Sequence, residues 1–265
     1  MRFFIIIIHT MKRYAPNLNE TPYKKILRSI SSLVSRDIKV RDSDILLGLF
    51  VTFLKPLFFL GVIVGAVTLG LRGIQAESTA ISFLFPLLFW FYFNDAAMKV
   101  NLLDTQDQLR ALPNIQPITM MLGVVLSEFV INAVMLAFVF VILFFLQIKI
   151  NFFITLILFL LTTLFTFAYI YAVSLIVYQN QVLIKFHDIF LRILFFTSSV
   201  VVPLSILPIN VQQYLYLNPL CHIMDLSRVY NLETANTLTS FGYVQSSIFI
   251  LLIIGTVLYK FRLMR

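Results

Sequence analysis

The sequence predicts an all-α membrane protein, a polytopic bundle of six transmembrane helices. Hydrophobic residues make up 60% of the 265 residues and charged residues only 12%. A helix needs about 20 mostly apolar residues to cross the hydrocarbon core, and hydrocarbon offers no partner to exposed backbone groups. Six apolar stretches approach or exceed this length, separated by short polar connectors: Leu46–Leu69, Thr79–Leu102, Ile118–Leu146, Phe152–Tyr178, Ile189–Leu207 and Val244–Phe261.

The six spans leave room for no second folded domain. We therefore expect residues 1–45 to form a cytoplasmic N-terminal tail with an interfacial helix, and residues 46–265 to form the transmembrane domain. The interfacial helix is predicted from an apolar stripe at helical spacing flanked by cations, which suits anionic lipid headgroups. The stripe consists of Ile26, Leu27, Ile30, Leu33, Val34 and Ile38. A simple membrane anchor and a part in the substrate path are both open readings.

The distribution of positive charge predicts the orientation. Sixteen of the 20 Lys and Arg residues lie on one side of the six-span arrangement, nine of them before the first span. Positively charged connectors stay in the cytoplasm, so both termini are expected there. The net charge of +8 reflects this topology and does not indicate nucleic-acid binding.

The second connector predicts a short cytoplasmic helix from about Asp104 to Leu112, suited to docking a partner. Pro113 and Pro117 bound it, because proline does not continue a helix comfortably and its fixed φ favours the first turn of the next one.

The fifth connector is too mixed in composition for a span and too apolar for a solvated loop. Pro203 and Pro208 break the fifth span, and Asn218-Pro219 has the pattern of an N-cap followed by proline at the first helical position. We expect two short helices within about 209–230 that re-enter the outer leaflet, which is tolerated only where protein or water covers the backbone.

No catalytic or metal site is expected in this chain. It has no G-x-x-x-x-G-K-[ST] motif, so it does not bind ATP by that route. The three histidines are far apart, and His222 with Asp225 is expected to form a local hydrogen-bonded pair rather than a metal site. No nucleophile lies in a recognisable elbow or triad.

Three groups of residues inside the spans are candidates for a substrate path. Glu128 interrupts the third span one turn before Asn132, which predicts a wet cavity, a subunit seam or a helix–helix clasp. Lys185, Asp188 and Arg192 share one face of the fifth span, where Arg192 favours a water-filled path for an anionic ligand. Aromatic faces suit the C–H surfaces of sugars, so a glycan path along three tyrosines is a further hypothesis: Tyr169, Tyr171 and Tyr178.

These motifs resemble the membrane subunits of ABC exporters of capsular polysaccharide or O-antigen in Gram-negative bacteria, the ABC type-two exporter family, with the capsule branch closest. The match to an N-P-L-x-H-x-x-E-x-x-R pattern is the most specific, with Asp225 in place of the glutamate: Asn218, Pro219, Leu220, His222, Asp225 and Arg228. Further matches cover most of the chain from about Leu33: Arg36-Asp37 with Lys39 and Arg41, Gly48 and Pro56, Leu112–Pro117, Glu128 and Pro203–Pro208. Two positions depart from the family pattern, with Lys55 in place of a glutamate and Gln116 in place of a lysine.

The resemblance implies a homodimer of six-helix permease subunits, each docked on a separate ATP-binding subunit that holds ATP and magnesium. The second connector would be the coupling helix, with contacts from Asp104, Gln108, Leu109, Arg110, Pro113 and Pro117. The periplasmic gate would include Tyr214, Tyr216, Asn218, Pro219, His222, Asp225 and Arg228. Substrate would pass along the dimer interface, near the basic segment at Arg36, Asp37, Lys39, Arg41 and Lys55.

The sequence therefore predicts the permease of an ATP-driven exporter in the bacterial inner membrane, moving an acidic, lipid-anchored capsular polysaccharide. Periplasmic and outer-membrane export proteins, the lipid-linked polymer and membrane lipids are the other expected partners. Two alternatives remain: an ABC exporter of small hydrophobic drugs or lipids, and a membrane assembly factor that transports nothing.

Overall fold

The computed structural model describes residues 27–35, 54, 56–59, 61–62, 65, 76–101, 117–178, 180–232 and 239–263. Every regular element among these residues is helical, as predicted. Helix α1 covers residues 27–35. A 3-10 turn covers Leu204–Ile206, and the remaining helices are α2 (Ala76–Ala97), α3 (Pro117–Phe145), α4 (Phe152–Val177), α5 (Gln181–Thr197), α6 (Ile209–Leu215), α7 (Pro219–Leu232) and α8 (Phe241–Leu263).

The third, fourth and sixth predicted spans are confirmed as helices long and apolar enough to cross a membrane: Pro117–Phe145, Phe152–Val177 and Phe241–Phe261. The second span corresponds to α2, whose apolar part at Ile81–Ala97 is shorter. In the first span, residues 54, 56–59, 61–62 and 65 are helical, and its other residues lie outside the described part of the chain. The arrangement of six spans as a whole stays a prediction.

The predicted bounds of the fifth span were wrong. Helix α5 begins at Gln181, because the Asn180 side chain accepts hydrogen bonds from the backbone N–H groups of the first turn at 3.2 Å. It ends at Thr197, two residues before Ser199 adopts a positive φ of 52° that a helix cannot continue. Pro203 and Pro208 then precede the 3-10 turn and α6, so they separate helices as predicted.

The connection from α3 to α4 is a short reversal fixed by backbone hydrogen bonds. Gln147 has φ 56°, its N–H donates to the Phe144 carbonyl, and the Ile148 N–H donates to the Leu143 carbonyl at 3.0 Å. This is the Schellman pattern that ends a helix. Asn151 then caps α4 by accepting from the Ile154 N–H.

Helix α4 is the centre of the bundle and contacts α2, α3, α5, α7 and α8. Its buried face combines apolar side chains such as Leu158 and Ile170 with buried threonines. The hydroxyls of Thr162 and Thr166 donate to carbonyls one turn earlier, at 2.8 and 2.7 Å. These polar side chains are therefore satisfied by their own helix and need no water in the core.

Two glycines allow close approach between elements. At Gly123 in α3, an added Cβ would lie 3.1 Å from the Leu33 Cβ, so α1 rests directly on α3. At Gly255 in α8, an added Cβ would overlap the Tyr171 ring of α4, lying 2.7 Å from its Cε1. Small residues at such crossings allow membrane helices to pack closely.

The bundle has two distinct ends. Helix α7 contacts α2, α4 and α8, and its polar side chains bond to the first half of α2, the start of α4, the turn after α5 and the residues before α8. We call this the α7 end. Lys99, which follows α2, the first half of α3 and helix α1 lie at the opposite end.

We expect Gly255→Ala to destabilise the protein by about 1–3 kcal/mol, because the added methyl group overpacks against Tyr171. Thermal unfolding of the purified protein in detergent measures this change. Gly242→Ala is the matched control in the same helix, since its Cβ would meet only Ser240 Oγ, at 3.5 Å. Equal unfolding temperatures for the two variants would contradict the close α4–α8 contact.

Candidate functional site

Helix α7 begins as the sequence predicts. Asn218 Oδ1 accepts a hydrogen bond from the Leu220 N–H at 3.0 Å, and Pro219 occupies the first helical position. The Asn218 amide also donates to Ser198 Oγ at 2.8 Å. The cap of α7 is therefore joined to the turn that ends α5.

His222 joins α7 to the segments on both sides of it. Its Nδ1 accepts from the Ser240 backbone N–H at 3.1 Å, which leaves the proton on Nε2 to donate to the Tyr216 carbonyl at 2.8 Å. Its ring also contacts those of Tyr216 and Tyr243, with centroids 5.4 and 4.6 Å apart. The neutral imidazole is thus the form that fits this geometry.

The expected His222–Asp225 pair was wrong, because both ring nitrogens of His222 are engaged by backbone groups. Asp225 is buried and interacts electrostatically with Arg228, one turn further along α7. Among the described residues, no group of three or more His, Cys, Asp or Glu side chains is placed to hold a metal ion.

Arg228 makes three side-chain hydrogen bonds to residues outside α7. The residue is only 4% exposed. Its Nε donates to the Ser82 carbonyl of α2 at 2.8 Å, while Nη2 donates to the Val200 carbonyl at 2.8 Å and Nη1 to Ser199 Oγ at 3.2 Å. Arg228 therefore connects α7 with both α2 and the turn after α5.

Asn231 is a site residue that the sequence reasoning missed. Its Oδ1 accepts from the Asn151 N–H at 2.9 Å, and its amide donates to Thr155 Oγ1 at 3.1 Å and to the Ser227 carbonyl at 2.8 Å. The last turn of α7 is thereby bound to the start of α4. Asn231 follows Arg228 by three positions, and this continuation of the polar spacing was the available signal.

Helix α6 differs from α7 in having no buried residue. Tyr214 is 76% exposed, and Ile209 and Leu217 on either side are also exposed, whereas Tyr216 is half-buried. The Tyr243 hydroxyl of α8 donates to the Leu217 carbonyl at 2.9 Å, so the residues between α6 and α7 are held against α8. An uncovered apolar helix of this kind indicates contact with lipid, substrate or another chain.

Glu128 is fully buried in α3 and lies 3.0 Å from the Lys99 ammonium, measured between Oε1 and Nζ. Tyr92 of α2 is buried within electrostatic reach of the same carboxylate. Asn132, the expected partner of Glu128, instead donates to the Glu128 backbone carbonyl at 2.9 Å. The Lys99–Glu128 ion pair thus joins the residues after α2 to α3, and Lys99 gives the buried carboxylate a counter-charge.

Of the three tyrosines proposed for a glycan path, Tyr169 and Tyr171 lie on α4 and Tyr178 directly follows it. Tyr169 is buried beside Phe93 and His187, with ring centroids 5.0 and 5.9 Å away. Tyr171 is buried over Gly255, and Tyr178 is half-buried after the last turn. Contacts within one chain account for Tyr169 and Tyr171, and their role toward substrate stays a prediction.

Helix α5 presents its charged residues outward. Lys185 and Arg192 are exposed on one face together with Phe186, Ile189 and Phe196, while His187 and Leu191 are buried on the other. Asp188 is half-buried, 3.9 Å from His187 between Oδ1 and Nδ1.

Most of the predicted coupling and N-terminal path residues lie outside the described part of the chain: Arg36, Asp37, Lys39, Arg41, Lys55, Asp104, Gln108, Leu109, Arg110 and Pro113. Pro117 begins α3, as predicted.

The comparison with protein families decides which class of transporter this bundle represents. The family model described as ABC-2 type transporter matches residues 28–232, from α1 to the end of α7. The chain belongs to the ABC-2 type transporter family. It is thus the membrane-embedded, multi-pass permease component of an ABC transporter, and membership implies an ATP-binding partner. A comparison with the curated proteins found no match.

We expect this ABC-2 permease to lose stability as the pH falls below about 6.5, the ordinary pKa of histidine. Burial lowers the pKa of His222, and its bond to the Tyr216 carbonyl offsets this only in part. The unfolded chain then binds the proton more readily than the folded one, so stability is highest above this pKa and declines as the pH falls through it. Protonation of His222 Nδ1 would also place an N–H against the Ser240 backbone N–H, so the hydrogen bond between them would be lost.

Thermal unfolding measured from pH 5 to 8 tests the pH dependence. The control is His222→Gln, which keeps a polar side chain that does not titrate. The decline below pH 6.5 should be smaller in that variant, and an identical decline in both proteins would assign the titration to another group.

Proposed function

We propose that this chain is the permease of an ATP-driven exporter of an acidic, lipid-anchored capsular polysaccharide in the bacterial inner membrane. The observation that carries the proposal is the outward face of α5, where Arg192 and Lys185 are exposed among apolar side chains. Arg192 lies eleven residues after Gln181, or about 17 Å along the helix at 1.5 Å per residue. Arg192 is thus about two-thirds of the way along the 17-residue helix, inside a hydrocarbon core of about 30 Å.

A cation at this depth is costly against lipid, so it faces a wet cavity or another protein chain. A second copy of this chain meets that requirement, because two α5 faces brought together would line a seam with four cations, Lys185 and Arg192 from each copy. Such a seam suits a polymer with negative charges. The exposed Phe186, Phe190 and Phe196 add aromatic surface to it, which suits the C–H faces of sugars.

The dimensions of α3 support an orientation with α1 on the cytoplasmic side. From Gly123, where α1 contacts α3, to the exposed Phe145 is 22 residues, or about 33 Å. This length matches the hydrocarbon core. Helix α1 then lies at one boundary with the basic segment around it, which the positive-inside rule assigns to the cytoplasm. The α7 end consequently faces the periplasm.

In this orientation the connector at residues 102–116 meets the ATP-binding subunit. The Lys99–Glu128 pair joins the residues just before the connector to the helix that follows it. A force applied to the connector is therefore passed to both α2 and α3. Helices α6 and α7 close the opposite end of the path as the gate, and Tyr214 on the exposed α6 faces the path or the lipid beside it.

The export proposal is tested in a deletion strain that synthesises the polysaccharide. Deletion should trap polymer in the cytoplasm, and the wild-type gene should restore it to the cell surface. At equal membrane levels, Arg192→Gln should reduce export, and Arg192→Lys should retain most of it because the charge remains. Lys260→Gln, near the end of α8, is the control for loss of an exposed cation.

Two outcomes would overturn the export proposal. Unchanged polymer in the deletion strain, with loss of efflux of a small hydrophobic compound, would favour the drug or lipid exporter. Full export by Arg192→Gln would show that export does not need the cations of the proposed seam.

Replacing Leu109 and Arg110 together by alanine should uncouple ATP hydrolysis from export while the protein still inserts in the membrane. The shortened side chains remove contacts from the surface that we assign to the ATP-binding subunit. ATPase activity and polymer export by the reconstituted complex are the measurements, and Lys149→Ala at the α7 end is the control. Normal export by the double variant would contradict this docking site.

A further inference from the structure

Helix α2 contains a backbone carbonyl that lacks its usual donor within the helix. Pro86 lies inside α2, and proline has no N–H. In a regular α-helix the N–H of residue 86 would donate to the carbonyl four residues earlier, which belongs to Ser82. Prolines persist in membrane helices where a neighbour supplies the missing hydrogen bond.

Arg228 of α7 supplies that hydrogen bond. Its Nε lies 2.8 Å from the Ser82 carbonyl oxygen, and its guanidinium carbon lies 5.8 Å from the centroid of the adjacent Phe83 ring. The other two guanidinium nitrogens bond to Ser199 and Val200. Burial lowers the pKa of Arg228 to about 10, with Asp225 acting in the opposite direction, so the side chain is still charged at neutral pH.

The contacts that hold α7 leave its own backbone intact. Asn218, His222, Arg228 and Asn231 all bind through their side chains, to backbone groups and hydroxyls of neighbouring elements. Detaching α7 would break these bonds and expose buried apolar side chains such as Leu220 and Ile223, but it would not require the helix to unwind. A helix held in this way can move as one unit.

We propose that the Ser82 carbonyl left free by Pro86 is a docking position for Arg228, and that this contact keeps α7 closed against α2. Arg228 is thus a positioning residue of the gate, and Pro86 is the residue in α2 that makes the position available. The inference rests on the proposed function in assigning the gate to α6 and α7. It adds that the gate opens when the hydrogen bond between the Arg228 guanidinium and the Ser82 carbonyl breaks.

Cys221 provides a direct readout of this release. It is the chain's one cysteine, it lies on α7 and it is fully buried. Burial raises the pKa of its thiol to about 12, which suppresses the reactive thiolate. A membrane-impermeant maleimide should label it only when α7 moves away from the bundle. The full chain in native membranes is the sample, and labelling needs neither substrate nor ATP.

We expect Arg228→Met to label at least about tenfold faster than the wild type, because hydrogen bonds to a charged group are among the stronger ones and their loss favours local opening. Arg228→Lys should lie between the two, since it keeps the charge without the planar set of donors. Lys149→Met, which removes an exposed cation at the same end, should label at the wild-type rate. Wild-type labelling of Arg228→Met would overturn the proposal.

Pro86→Ala tests the carbonyl itself and keeps the proposal testable if the arginine variant fails to fold. The restored N–H competes for the Ser82 carbonyl, so labelling should accelerate, and adding Arg228→Met should have less effect than in the wild-type background. Wild-type labelling of Pro86→Ala, or fully additive effects, would show that Arg228 acts without this carbonyl. If these variants label faster but export normally, the contact between Arg228 and Ser82 does hold α7, but α7 is not the gate of the transport path.

Discussion

The arrangement of the α7 end depends on one constraint: a polar group enclosed in a membrane bundle must find its partner within the protein. Arg228 shows this most clearly, because a guanidinium that is 4% exposed has a carbonyl or hydroxyl partner for each of its three nitrogens. The partners depend on it in return, since Pro86 cannot donate to the Ser82 carbonyl and the turn at Ser199 has a positive φ. Removing either side leaves the other buried without water, so these residues form one unit.

The same constraint operates at the opposite end through different chemistry. There the buried Glu128 requires a cation, and Lys99 reaches it from the residues after α2. Helix α2 therefore has a polar contact near each end, to α7 through Ser82 and to α3 through Lys99, whereas the α8–α4 crossing relies on the Tyr171 ring packed over Gly255. A displacement of the connector after α2 would reach α7 along a helix with bonds at both ends. In the function that we propose, α2 would therefore link the two ends of the bundle.

Hydropathy and local chemistry predicted much of this fold from the sequence. Long apolar runs predicted α3 and α4 to within one residue and α8 to within three, and Asn218-Pro219 predicted the start of α7, because these signals are local. The end of α5 was missed, since hydropathy continues through Val200–Val202 while the backbone turns at Ser199. The partners of Glu128, Asp225 and His222 were also missed or wrong. Lys99 lies 29 positions from Glu128, and Ser82 lies 146 positions from Arg228, so only tertiary packing brings them together.

The packing of helix α5 supports the proposal that two copies of the chain associate in the bilayer. Among the described helices, α4 is covered on most sides, but α5 contacts chiefly α4 and exposes Arg192 among phenylalanines. Lipid suits those phenylalanines and not the arginine, while water suits the arginine and not the phenylalanines. A seam between two copies satisfies both, because aromatic surface can pack across it while the cations face an aqueous centre. In the function that we propose, such a seam would be as long as the helices and would close where α6 and α7 cross one end, which suits an extended polymer better than a compact molecule.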